Sequence, residues 1–165
     1  YCADTDLVYA CGSQTGGKIA AIDPATCAIL GYLDDSALVN PMYLRLAYCA
    51  STQRLFVTTS NQTQIHVFNL TGGSGFGEWE ASISTGASQM FPIIYDEGED
   101  RIVAAEDNGG VGNGRLIVIN PITFAFERDI THPEIRAAWD LMIPPNGVCY
   151  LFQNYPGKIV RFART

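Results

Sequence analysis

The feature that most constrains this chain is an internal repeat. Four segments share one pattern: a short apolar strand, a polar loop, a second apolar strand ending in Asp or Asn, then a turn. The first is Leu7-Val8-Tyr9-Ala10, a loop through Gly16-Gly17, then Lys18-Ile19-Ala20-Ala21-Ile22-Asp23. The second is Leu55-Phe56-Val57-Thr58, the loop Ser60 to Thr63, then Ile65-His66-Val67-Phe68-Asn69. In the third, Ile102-Val103-Ala104-Ala105 precedes a long glycine loop and Leu116-Ile117-Val118-Ile119-Asn120. The fourth pairs Cys149-Tyr150-Leu151-Phe152 with Lys158-Ile159-Val160-Arg161-Phe162. Anchored on residues 7, 55, 102 and 149, the spacings are 48, 47 and 47. A period of that length marks supersecondary units that stack on one another.

Each unit has two more strands. An outer one follows the turn, at Ala28 to Leu33, Glu80 to Ile83 and Phe124 to Ile130. An inner one precedes the anchor, at Tyr43 to Tyr48, Phe91 to Tyr95 and Ala138 to Ile143, each leading into a run of turn formers. A β-sandwich accounts for evenly spaced strands but not for a unit of four that recurs. The sequence therefore predicts an all-β fold, a β-propeller of four-stranded antiparallel blades, as one domain over 1–165. The expected blades are 1–34, 40–84, 89–131 and 135–165. Tyr1-Cys2-Ala3 matches Tyr48-Cys49-Ala50, so the chain opens on an inner strand already nearly finished, and Thr165 follows the third strand of the fourth unit. The expectation is three and a half to four blades in an incomplete ring, a stretch of a longer propeller or one that a partner completes.

Two turns carry a common signature, Asp23-Pro24-Ala25-Thr26 and Asn120-Pro121-Ile122-Thr123. The Asx side chain accepts backbone hydrogen bonds, Pro fixes φ and Thr caps the turn. The second unit departs from it with Asn69-Leu70-Thr71-Gly72-Gly73. On these residues, 41–162 resembles the YVTN-type propeller family, which takes in lactonase-like and quinoprotein-like propellers. The resemblance implies the fold; propellers host many unrelated activities.

Composition narrows the partners. A net charge of −7 with only 10 Lys and Arg, scattered along the chain, argues against nucleic acid. No apolar run approaches the roughly 18 residues that a membrane helix needs. The expected partner is a protein, or another copy, covering the open blade edges. Five cysteines, Cys2, Cys11, Cys27, Cys49 and Cys149, form no CxxC pair, and His66 and His132 are the only histidines, which disfavours a zinc site. Cys2 and Cys49 hold equivalent places in neighbouring units, too far apart to bridge comfortably. The cysteines are either buried small hydrophobes or members of pairs reaching outside this stretch. Asn61-Gln62-Thr63 and Asn69-Leu70-Thr71 satisfy the N-glycosylation sequon, which makes Asn61 and Asn69 candidate acceptors and, with the cysteines, points to an extracellular, secreted protein.

Little in the sequence looks catalytic. No Gly-x-Ser-x-Gly elbow is present. His132 lies where an outer strand returns to the next inner strand, and reads as a loop residue; His66 alternates with Ile65 and Val67, and is expected on the less buried side of its strand. Glu106-Asp107-Asn108 opens a glycine-rich loop whose oxygens are of the kind Ca²⁺ takes, though a long hairpin loop accounts for it better. Asp96 to Asp100 is expected to be an ordinary solvated hairpin turn. The central channel should be lined by Asn40 to Tyr43, Gln89 to Phe91 and Ile135 to Ala138, which hold one Arg136 and no carboxylate cluster. The expectation is thus a non-catalytic binding or structural module without a cofactor. The alternative is part of a lactonase-like or quinoprotein-like enzyme whose catalytic residues lie elsewhere.

Overall fold

The computed structural model describes residues 1–12, 18–33, 38, 44–71, 76–86, 89–106, 113–144, 147–153 and 157–162. Four antiparallel sheets follow one another along the chain. The first holds β1 (Val8–Cys11), β2 (Ile19–Ile22) and β3 (Ile29–Tyr32). The second holds β4 (Arg45–Cys49), β5 (Arg54–Thr58), β6 (Gln64–Asn69) and β7 (Glu78–Ser84). The third holds β8 (Met90–Asp96), β9 (Arg101–Glu106), β10 (Gly114–Ile119) and β11 (Phe126–His132). The fourth holds β12 (Ala138–Met142), β13 (Cys149–Gln153) and β14 (Ile159–Phe162). In every sheet the strands lie in chain order, and β4, β8 and β12 neighbour one another at the inner side. This is the blade arrangement of a β-propeller. Among the described residues no helix is long and apolar enough to cross a membrane.

Strand register sets the repeat more sharply than the sequence does. Val8 pairs Ile22, Leu55 pairs Phe68, Ile102 pairs Ile119 and Cys149 pairs Phe162. The equivalent positions are therefore 8, 55, 102 and 149, each 47 residues from the next, which moves the first anchor from Leu7 to Val8. Ahead of β1, Cys2 and Leu7 form an isolated antiparallel bridge.

Side-chain alternation then divides each sheet between two interfaces. Leu55, Val57 and Phe68 pack with Cys2, Ile19 and Leu33 of the first sheet. Phe56, Ile65 and Val67 pack with Ile102, Ala104, Ile117 and Ile119 of the third. Val103, Ala105 and Leu116 face Ile135, Leu141 and Leu151 of the fourth. Sheets buried on both faces read as nearly continuous apolar runs, which accounts for Ile102 to Ala105 and Leu116 to Ile119. Each fully buried Leu, Ile, Val or Phe among them contributes about 1.5–3 kcal/mol through burial.

The turns after the inner strands are equally regular. Asp6, Gln53, Asp100 and Gly147 all take left-handed φ, at 52°, 53°, 52° and 76°. Those turns also join neighbours: Tyr48 of the second sheet donates to Asp4 of the first, and Ser51 donates to Asp100 of the third at 2.6 Å.

Candidate functional site

The polar chemistry of the molecule gathers in three places: the inner-strand turns, one buried histidine, and the clefts between successive sheets. At the turns, Asp100 accepts from both Ser51 and Tyr95, which holds its carboxyl below the usual carboxylate range. Burial, helped by the same carboxylate, pushes the Tyr95 phenol up to about 12. The turn is thus a hydrogen-bonded joint, and Asp96 at its start is buried with Oδ1 accepting from the Gly98 amide at 3.1 Å. Within the stretch Asp96 to Asp100, Asp96 is buried and Asp100 half-buried, while Glu97, Gly98 and Glu99 are exposed, as expected of a solvated turn.

His66 is buried, only 1% exposed, which corrects its expected placement on the less buried side. It pairs across the sheet with Val57 and Ser82, on the face turned to the first sheet. Nδ1 lies 3.0 Å from Ser82 Oγ and Nε2 2.5 Å from Gln62 Oε1. Burial holds its pKa below the ordinary value, so the ring is neutral at pH 7. Both ring nitrogens are hydrogen-bonded to uncharged neighbours, so the group is a satisfied core histidine. His132 ends β11, is exposed, and meets Phe162 edge-on at 6.2 Å.

The other residues singled out in the sequence fall as follows. Asn61 is exposed between β5 and β6, its Oδ1 accepting from Thr59 Oγ1 at 2.6 Å. Asn69 is half-buried at the end of β6, its Oδ1 accepting from the amide and hydroxyl of Thr71 at 2.8 and 2.7 Å. Glu106 is buried at the end of β9, while Asp107 and Asn108 lie outside the described residues. Among the described residues no group of three or more His, Cys, Asp or Glu is placed to hold a metal ion. All five cysteines are free thiols, and burial followed by the charge of Asp96 pushes Cys149 up to about 11. Of the expected channel residues, 40–43 lie outside the described set, Gln89 is exposed, Met90 and Ile135 are buried and Arg136 is exposed. No sequence signal marks the Arg45 guanidinium that stands 5.6 Å over the Trp139 ring, a contact that reaches from β4 to β12.

The clefts between sheets follow a common plan. Arg54 starts β5 and pairs with Glu80 through two hydrogen bonds of 2.7 Å. The ring of Phe124, from the β10–β11 turn of the next sheet, stands 5.4 Å from the Arg54 guanidinium and meets Phe56 edge-on at 6.2 Å. That turn is built by Asn120, whose Oδ1 accepts from the Ile122 and Thr123 amides and whose backbone carbonyl accepts from the Phe124 amide. It sets Phe124 at φ 60°, and the equivalent Cys27 of the first sheet takes φ 59°. One interface later, Arg101 pairs with Glu127 and Val103 stands where Phe56 stood. A cleft of about 170 Å³ opens there between the third and fourth sheets, lined among others by Arg101, Val103, Val118, Cys149 and Phe162.

No family model matches the chain, and no curated protein does. Solved structures do. The β-propeller domain of Cps50 (Swd1) from Myceliophteria thermophila superposes with a TM-score of 0.68 at 16% identity, over 100% of this chain and 52% of that one. A 6-phosphogluconolactonase-like protein from Bacteroides uniformis gives 0.67 at 16% identity, over 99% and 51%. A chain of a nidogen–laminin complex gives 0.60 at 11% identity, over 97% and 72%. The fold is that of a β-propeller, and the chain spans about half the length of the first two of these.

Proposed function

We propose that this chain is a non-catalytic β-propeller module that binds or assembles with protein through its two end sheets, in an extracellular setting. The observation that carries the reading is the apolar surface on those sheets. In the first, Val8, Ile22 and Ile29 lie opposite one another on the face away from the second sheet, with Ile29 56% exposed. In the fourth, Phe152 pairs Ile159 and Met142 pairs Tyr150 on the face away from the third, with Ile159 59% exposed. Equivalent positions in the middle of the molecule are covered by the neighbouring sheet, so these faces are shaped to take another blade-like surface. Sites Asn61 and Asn69 support the extracellular part of the reading, as glycan acceptors.

Sedimentation of the chain, alone and with Ile29→Glu or Ile159→Glu, tests the assembly. Concentration-dependent association that either substitution abolishes is expected. A wild-type monomer at high concentration, or association that ignores both substitutions, overturns it. The likeness to a 6-phosphogluconolactonase-like protein favours one other reading, an enzyme whose catalytic residues lie outside this stretch. Lactone hydrolysis by the full-length protein, absent from residues 1–165 alone, would select that reading.

A further inference from the structure

We propose that the seam between the first and second sheets is an acid-operated latch, in which proton uptake by His66 releases the first sheet while the other seams stay closed. The placement of the ring carries the inference. His66 lies on β6 between Val57 of β5 and Ser82 of β7, on the face turned to the first sheet. The same face carries Leu55, Val57 and Phe68, which pack with Ile19 and Leu33 of that sheet. The residue is 1% exposed, so a charge formed there cannot be hydrated while the seam is shut. The hydrogen bonds fix which nitrogen takes the proton. Gln62 Oε1 only accepts, so Nε2 carries the hydrogen of the neutral ring and Nδ1 accepts from the Ser82 hydroxyl. An incoming proton therefore goes to Nδ1, and the Ser82 hydroxyl must turn from donor to acceptor.

Among the described residues, no carboxylate of this seam stands against the ring to pair with the cation. The titratable groups packed into the seam from the first sheet and β4 are Cys2, Tyr9, Cys11 and Tyr48. Burial raises Tyr9, Cys11 and Tyr48, so these three keep their protons through the acid range. Asp4 is bonded to Tyr48 at the turn end, and Arg45 stands over Trp139 at the inner edge. Lys18 extends over Tyr32, which pairs Ala20 on the opposite face from Ile19. On β7, Glu78 pairs Asn69 and Glu80 bonds Arg54, on the face turned to the third sheet. Burial is thus what acts on His66, and it holds the ring neutral. The third sheet answers acid later. Asn120 and Arg115 hold Glu127 and Asp129 below the ordinary carboxylate range. Their contribution is present above the unfolded value of about 4 and is lost only as the pH falls beneath it. The latch lies inside the chain and owes nothing to the end sheets or to the extracellular reading, so each can fail alone.

NMR of the whole chain in mild urea, with the pH stepped from about 7 to about 5, tests it. Peaks of β1, β2 and β3 should give way to those of released chain, while β9, β10 and β13 keep their native positions. The ratio of released to docked first sheet should rise by up to about tenfold per pH unit below about 6.5, because opening takes up one proton. His66→Gln should abolish that rise. Gln62→Glu sets a carboxylate against Nε2, which pairs with the cation inside the closed seam, and should abolish it too. Native peaks lost from all four sheets together, a ratio that ignores pH, or a rise that survives either substitution would each overturn the proposal. The comparison between sheets uses the unaltered chain, so it decides even where a variant fails to fold.

Discussion

Phe124 shows how one side chain joins two sheets. Its backbone sits in the left-handed region, at a cost of roughly 1 kcal/mol for a non-glycine residue. The turn at Asn120 enforces that conformation, and the ring recovers the cost through Phe56 and Arg54. Phe124→Ala should lower stability by about 2–3 kcal/mol in urea denaturation. Combined with Phe56→Ala, it should cost less than the two singles together, because the ring pair is counted twice. His66 gives a prediction in pH. Its folded pKa lies below the ordinary 6.5, so below that pH the unfolded chain binds a proton that the folded chain refuses. The stability is complete above about pH 6.5 and declines as the pH falls through that value. Melting temperature should drop between pH 7 and 5, and His66→Gln should flatten the slope over that interval.

Among the elements, β10 carries the tightest requirement. A Cβ at Gly114 would stand 2.4 Å from the Ile135 carbonyl oxygen, which also accepts the Gly114 amide at 2.7 Å. The obstacle is backbone that ties the third sheet to the fourth, so Gly114→Ala should cost about 2 kcal/mol or more in chemical denaturation. At Gly31 the nearest atoms belong to the Phe76 ring, which can turn, and Gly31→Ala should cost less. The strands themselves were legible, because apolar runs bounded by turn formers recur at a fixed period. The burial of His66 was not: alternation reports exposure only where one face meets water, and here both faces meet other sheets. The first anchor lies one residue later than apolarity alone suggests, because Leu7 is as apolar as Val8 and only the pairing with Ile22 distinguishes them. The Phe124 site is not legible in the sequence for a different reason. Arg54, Glu80 and Phe124 are far apart in sequence, and only the stacking of one sheet on the next brings them together.

At the scale of the molecule, the three apolar clusters share no residue, and each belongs to one pair of neighbouring sheets. Stability should therefore be a sum of interface contributions. Leu55→Ala in the first interface and Leu151→Ala in the third should lose stability additively, to within about 0.5 kcal/mol, in a double-mutant cycle. A coupling well above that would show that strain passes through the middle sheets. The uniform interval between Val8, Leu55, Ile102 and Cys149 has a further consequence. Joining Arg54 directly to Ile102 would excise one whole unit and leave every remaining strand with a partner in the same register. Inserting a copy of the excised stretch at the same seam would lengthen the arc by one unit. A gene encoding this chain can thus gain or lose material in steps of one blade, with the size of the ring changing and the chemistry of each seam preserved.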